Sequence, residues 1–198
     1  MSENEKALLK KAKDGDVEAF ESLVERYQKK VYNIALRITG NSEDAAEIAQ
    51  EALIRVFRSL KNFKEESSFS TWIFRITTNL CLDEIRKRKN KQVVYINDEI
   101  KLDDGEVKIQ IEDKSPGPEE KAQTNEVRRI VNDAIQSLSE EHRTIIVLRD
   151  IEGFSYEEIA RIVKCPEGTV KSRINRARQS LKDILKKKKE LISEYYVK

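Results

Sequence analysis

The chain has 198 residues, 37% of them charged and 38% apolar, with only 6 glycines and 3 prolines. That balance suits long amphipathic helices with solvated faces and argues against a large parallel sheet, and the length allows one ordinary domain or two small ones with modest cores. The formal net charge of +2 hides segregation: five of the six residues Arg86–Lys91 are basic, Lys164–Lys189 carry ten bases against two acids, and Lys91–Glu120 carry nine acids against four bases.

Those blocks fit two polyanion contacts separated by an acidic segment; they fit equally two solvated helix faces and a solubilising tether. The N-terminal MSENEKALLKKAKDGD has no apolar core of signal-peptide type, and no apolar run approaches the ~18 residues of a membrane span. A cytoplasmic protein is expected.

In chain order, Asp16 predicts the N-cap of a helix from Val17, with Phe20, Leu23, Val24, Tyr27, Val31, Ile34, Ala35 and Ile38 on one face and Gly40 as its stop. Asn41 or Ser42 caps a second helix with the stripe Ile48, Ala49, Ala52, Leu53, Val56, Phe57, Leu60. After the polar stretch Asn62–Ser68, a third helix carries Phe69, Ile73, Ile76 and Leu80 and runs into the basic Arg86–Lys91. Residues 92–120 break the pattern and read as a linker, with a weak strand-like alternation at Glu106–Ile111 and a hairpin signal at Asp104-Gly105. Helical spacing returns at Val127, Ile130, Val131, Ala134, Ile135 and Leu138. Ser139 caps a helix ending near Gly153. Ser155 caps Tyr156–Val163 with Glu158 completing a capping box, and Thr169 opens a long basic helix.

Cys81 and Cys165 lie far apart and His142 is the sole histidine. A Cys/His zinc site is therefore not expected, nor any other metal or cofactor, and both thiols read as small buried side chains.

Tyr156–Arg178 (YEEIARIVKCPEGTVKSRINRAR) has the pattern of a helix-turn-helix. Ala160 is the small residue where the helices cross. Ile159, Val163, Cys165, Val170, Ile174, Ala177 and Leu181 supply the inner faces. Lys171, Ser172, Asn175, Arg176, Arg178 and Gln179 face outward, with Arg173 at the flank. Side chains at the start of such a helix reach base edges in the major groove, and Thr169 with the free N–H groups suits a phosphate. Lys164 stands in the turn where glycine is common; a left-handed backbone there costs about 1 kcal/mol, which the extra residues Pro166-Glu167-Gly168 offer a way to relax. A helical hairpin with a solvated basic face is the plainer reading.

On the second helix Asp44, Glu47, Glu51, Arg55 and Arg58 share an outward face. On the third, Trp72, Arg75, Asn79 and Arg86 line one side, combining a ring, a hydrogen-bonding amide and cations as in single-strand binding sites; Trp72 beside Ile73 and Ile76 fits the core just as well.

Three stretches, Glu43–Leu60 (EDAAEIAQEALIRVFRSL), Ser67–Asn79 with Asp83–Lys89 (SSFSTWIFRITTN, DEIRKRK) and Gly168–Arg178 (GTVKSRINRAR), resemble regions 2 and 4 of bacterial extracytoplasmic-function (ECF) sigma factors, in the right order and across nearly the whole chain. The resemblance implies an all-α fold of two small helical domains, residues 1–91 and 121–198, joined by a flexible acidic linker, 92–120. It implies a non-enzymatic subunit of RNA polymerase that directs promoter-specific initiation. Glu47, Gln50, Glu51 and Arg55 would bind core polymerase. Trp72, Arg75, Asn79, Arg86 and Lys87, with the loop Asn62–Ser70, would melt the −10 element and trap a flipped base. Thr169, Lys171, Ser172, Arg173, Arg176 and Arg178 would read the −35 duplex. The linker would pass through the RNA channel as a polyanion mimic, or serve only as a tether. An anti-sigma factor, often membrane-anchored, is implied as a further partner, and no small-molecule substrate. The alternatives are a stand-alone helix-turn-helix regulator, which would bind duplex tightly without polymerase, and a helical adaptor with no DNA role.

Overall fold

The computed structural model describes the backbone of residues 3–95 and 118–196 and the side chains of 3–89 and 127–188, and everything described is helix or the turns between helices. The helices are α1 (Glu3–Lys13), α2 (Val17–Thr39), α3 (Ser42–Ser59, followed by a 3-10 turn at Leu60–Asn62), α4 (Phe69–Tyr95), α5 (Pro118–Gln136), α6 (Glu140–Ile146, running into a π-helical turn at Val147–Ile151), α7 (Tyr156–Val163) and α8 (Glu167–Tyr196).

Local chemistry sets most boundaries. The Asp16 carboxylate accepts the Ala19 N–H at 3.0 Å, satisfying a donor at the start of α2. Gly40 ends that helix at φ 74°, its N–H bonded to Leu36 O at 2.8 Å. Asn41 then caps α3 by accepting from Glu43 and Asp44 N–H at 2.8 and 3.0 Å. At α7 the expected capping box is complete: Ser155 Oγ accepts the Glu158 N–H, and the Glu158 carboxylate accepts the Ser155 N–H at 2.8 Å.

Residues 3–13 form α1, which buries Leu9 and Ala12, and helix α4 continues to Tyr95. Two features differ from the sequence expectation. Helix α8 starts at Glu167, two residues before Thr169, because Pro166 O accepts the Thr169 and Val170 N–H groups at 2.9 and 3.1 Å and draws the intervening residues into the first turn. Phe57 and Val127, assigned to apolar stripes, are 51% and 60% exposed. The Asp104-Gly105 hairpin, the Glu106–Ile111 alternation and nearly all of the linker lie outside the described residues.

Helices α1–α4 pack around Leu23, Ile34, Ile38, Ala52, Val56, Phe69 and Ile73; α6–α8 pack around Ile145, Ile146, Leu148, Ile159, Ile162, Val170 and Ile174. Burying each larger aliphatic side chain stabilises the fold by about 1.5–3 kcal/mol. One continuous core runs through both groups. It crosses at α4, whose early turns are buried on more than one side. Phe69 and Ile73 belong to the first group, while the Phe74 ring meets Tyr27 at 5.9 Å and Phe154, from beyond the linker, at 5.4 Å. Thr77 tolerates burial because its hydroxyl donates to Ile73 O at 3.0 Å.

Candidate nucleic-acid interface

The helix-turn-helix is formed by α7 and α8. Lys164 adopts the left-handed conformation, φ 53° and ψ 51°, so the extra turn residues do not relieve the demand placed on it. The Cys165 N–H bonds to Ala160 O at 3.1 Å and closes the end of α7. Ile159, Val170, Ile174 and Ala177 are fully buried, Val163, Cys165 and Leu181 partly so, and Ile162, missing from the predicted inner face, is fully buried beside them.

The opposite side of α8 carries the exposed Lys171, Ser172, Asn175, Arg176 and Gln179. They differ in freedom. The Ser172 hydroxyl donates to Thr169 O at 2.9 Å, and Gln179 reaches Asp183 at 2.9 Å. Arg173 lies 3.9 Å from Glu141. Arg178 grips Asp150 with two nitrogens, Nε at 3.1 Å, and that carboxylate raises the guanidinium pKa further. Lys171 and Arg176 have no ion pair among the described residues, which leaves both heads for a ligand. Thr169, half-buried, sits in the first turn.

A second site lies on α4 and the loop before it. Asn62, Phe63, Glu65, Trp72, Arg75 and Arg161 line an open cleft of about 290 Å³. Glu65 at its rim has φ 59°, a strained value for a residue with a Cβ. Lys13 of α1 pairs with Glu65 at 2.5 Å and sits 5.2 Å from the Phe63 ring centroid. Trp72 stacks on Phe63, centroids 4.8 Å apart and planes at 30°, and is only 8% exposed. Both readings of this residue meet here: it packs as core, and its remaining edge faces the cleft. Phe69 is core throughout. Arg75 and Asn79 are half-buried along the same side of α4; Arg86 and Lys87 extend it as exposed cations, paired with Asp83 at 2.9 Å and Glu84 at 3.5 Å. Exposed pairs of this kind contribute little and yield readily to a phosphate.

The third surface is on α3. Glu47 and Gln50 are exposed, and Glu51 pairs with Arg55 at 2.6 Å. Gln50 borders a groove of about 530 Å³ between α2 and α3, with Tyr32, Ala46 and Leu53 in its wall. Asp44 departs from the shared face: it is mostly covered and pairs with Arg88 of α4. Ile54 and Phe57 are exposed on α3, Phe57 resting edge-on against Phe20 at 4.9 Å. Sequence reading missed this apolar patch because Phe57 keeps the spacing of the buried stripe. It also missed Arg161, which lines the cleft, and Lys13, which pairs with Glu65 at its rim; both come from elements remote in the chain and leave no mark in local periodicity.

Three surfaces, two on the first half of the chain and one on the second, are thus carried by helices among the described residues. The family models for Sigma-70 region 2 and Sigma-70, region 4 match residues 23–91 and 128–181. The chain is 37% identical to the ECF RNA polymerase sigma-E factor of Haemophilus influenzae, across 90% of this chain and 94% of that protein. It is 37% identical to the ECF RNA polymerase sigma factor SigW of Bacillus subtilis, across 91% and 96%. The sigma factor RpoE of Bartonella quintana, solved in complex with the anti-sigma factor NepR, superposes with a TM-score of 0.68 at 25% identity, over 84% of this chain and 96% of that one. The chain belongs to the ECF sigma factors of RNA polymerase, and its role is to direct transcription initiation.

Proposed function

We propose that this sigma factor divides promoter reading between its two halves. Helix α8 enters the major groove of the −35 duplex with Lys171 and Arg176 as principal contacts, Ser172 and Arg173 beside them, and Thr169 at a phosphate. Arg178, gripped by Asp150, contacts the DNA backbone at the edge of this set. Helix α4 and the loop 62–70 open the −10 element. The cleft lined by Trp72 and Arg75 accepts an extruded base, and Asn79, Arg86 and Lys87 track the strand. Helix α3 docks on core polymerase through Glu47, Gln50, Glu51 and Arg55, with Ile54 and Phe57 as the apolar centre that a protein interface needs. The chain performs no catalytic step itself; the polymerase supplies the chemistry. It works in the cytoplasm, where an anti-sigma factor, soluble or membrane-anchored, covers its polymerase-binding surface.

The observation that carries this reading is the outward side of α8. Two cations with no ion pair among the described residues flank polar side chains opposite the buried Val170, Ile174 and Ala177, as a groove-reading helix requires. Run-off transcription with core polymerase on a promoter library, with and without the chain, tests it. Chain-dependent transcripts that share −35 and −10 sequences are expected. Tight, specific duplex binding by the chain alone, with no transcript dependent on it, would mean a stand-alone regulator instead.

A further inference from the structure

A polar clasp among the described residues joins the two halves. Glu152, in the loop after the π-helical turn, has a side chain only 8% exposed and is held by Arg37 at 2.7 Å and Lys30 at 3.3 Å, both from α2. Lys30 also lies 5.2 Å from the Phe74 ring and 5.0 Å from the Phe154 ring, the pair that closes the core across the halves. At the same end of α2, two carbonyls of its last turn are capped from the other half. Gln136 Nε2 donates to Arg37 O at 2.8 Å and Arg143 donates to Ile38 O at 2.9 Å. The half-buried Arg143 also donates to Gln136 O and Leu138 O at 2.6 and 3.1 Å, fixing it in place. Lys89 of α4 meets Glu140 of α6 at 2.6 Å.

This clasp sets α7 on the N-terminal part of α4. The first turn of α7 is acidic. Thr71 donates to Glu158 at 3.3 Å, and Arg161, itself paired with Glu157 at 2.5 Å, forms part of the cleft wall beside Trp72 and Arg75. Two carboxylates therefore stand beside the path that DNA phosphates would take, while the outward side of α8 stays in solvent.

We infer that the clasp around Glu152 holds the free chain in a self-closed state, in which α7 masks the single-strand surface of α4 and leaves the −35 helix accessible. The masking depends on α4 being the −10 surface, as proposed above; the closure does not. Opening requires breaking the Glu152 contacts and lifting α7 from α4, and core polymerase, by holding the halves apart, would supply that.

The test uses the full chain and its charge reversal Glu152→Lys, with the swap Arg37→Glu/Glu152→Arg as the restoring variant. Small-angle scattering reads closure; anisotropy of a labelled random single-stranded oligonucleotide of about a dozen nucleotides reads masking. A compact wild type, an expanded E152K that binds the oligonucleotide at least about tenfold more tightly, and a swap variant that reverses both, are expected. An expanded wild type overturns the inference. So does an expanded E152K with unchanged oligonucleotide binding while Arg75→Ala abolishes promoter opening with polymerase. If Arg75→Ala leaves promoter opening intact, the −10 reading itself falls and the masking with it. Should E152K lose its helical circular dichroism, Glu152→Gln carries the same comparison with a smaller perturbation.

Discussion

Lys164 shows how a single residue can oppose its own backbone. The turn needs a left-handed residue, and the chain places there one with a Cβ. Lys164→Gly should raise stability by up to about 1 kcal/mol, read as a shift in the urea midpoint, without changing DNA preference. Glu158 offers a pH test. Burial pushes its carboxyl upward, but hydrogen bonds from the Ser155 N–H and hydroxyl and from Thr71, with Arg161 nearby, outweigh it and hold the group below the usual carboxylate range. A carboxylate depressed in the folded state stabilises above its unfolded pKa and loses that contribution as pH falls through the folded value. The melting-temperature gap between wild type and Glu158→Gln should thus be widest near neutrality and vanish on acidification. The two thiols should separate as well: burial drives Cys81 up to about 12, whereas Cys165 is half-buried in the turn. A thiol reagent should consume one equivalent in the native protein and the second only on unfolding. Capping residues such as Asp16 and Ser155 were legible in the sequence because a cap acts within three positions of itself. The pairing of Arg178 with Asp150, 28 residues away, was not.

Among elements, the division of labour on α8 is sharper than its composition. Arg176→Ala should weaken −35 duplex binding by about 1–3 kcal/mol and relax base preference at its contact, measured by gel shift with polymerase present. Unchanged preference would remove Arg176 from the reading set. Arg178→Ala should act mainly on stability, since its guanidinium is committed to Asp150. Helix α3 calls for the opposite comparison. Phe57 is half in solvent, so Phe57→Ser should stay within about 0.5 kcal/mol of wild-type stability yet loosen binding to core polymerase in a pull-down. Periodicity made these helices legible, and their stripes are mostly the observed core. It could not tell Phe57 from Val56, because both fit a wide apolar stripe and only the neighbouring helices decide where the core ends.

At the scale of the whole molecule, the sequence announced two small domains, and the structure packs both around one core. The trace of this was in α4 all along: its early turns are apolar or threonine on nearly every side, as a helix enclosed by neighbours must be. What encloses it was illegible, since contacts between residues about a hundred positions apart impose no period on either partner. Phe74→Ala, which empties a site touching both halves, should cost about 3–5 kcal/mol and lower the melting of both halves together, visible as a single shifted calorimetric transition.

The capping of α2 by Gln136 and Arg143 bears on how the chain is made. The groups that finish this helix lie 99 and 105 residues downstream of the carbonyls they satisfy. As the protein leaves the ribosome, the first half emerges with its second helix unfinished at one end. It must wait for more than half of the chain before that end is sealed. Gly40 reinforces the dependence, because a Cβ there would come within 2.6 Å of the Gln136 side chain. A fragment ending at residue 95 should therefore show rapid amide exchange in the last turn of α2 where the full chain is protected, and late synthesis of the second half becomes the step that completes the first.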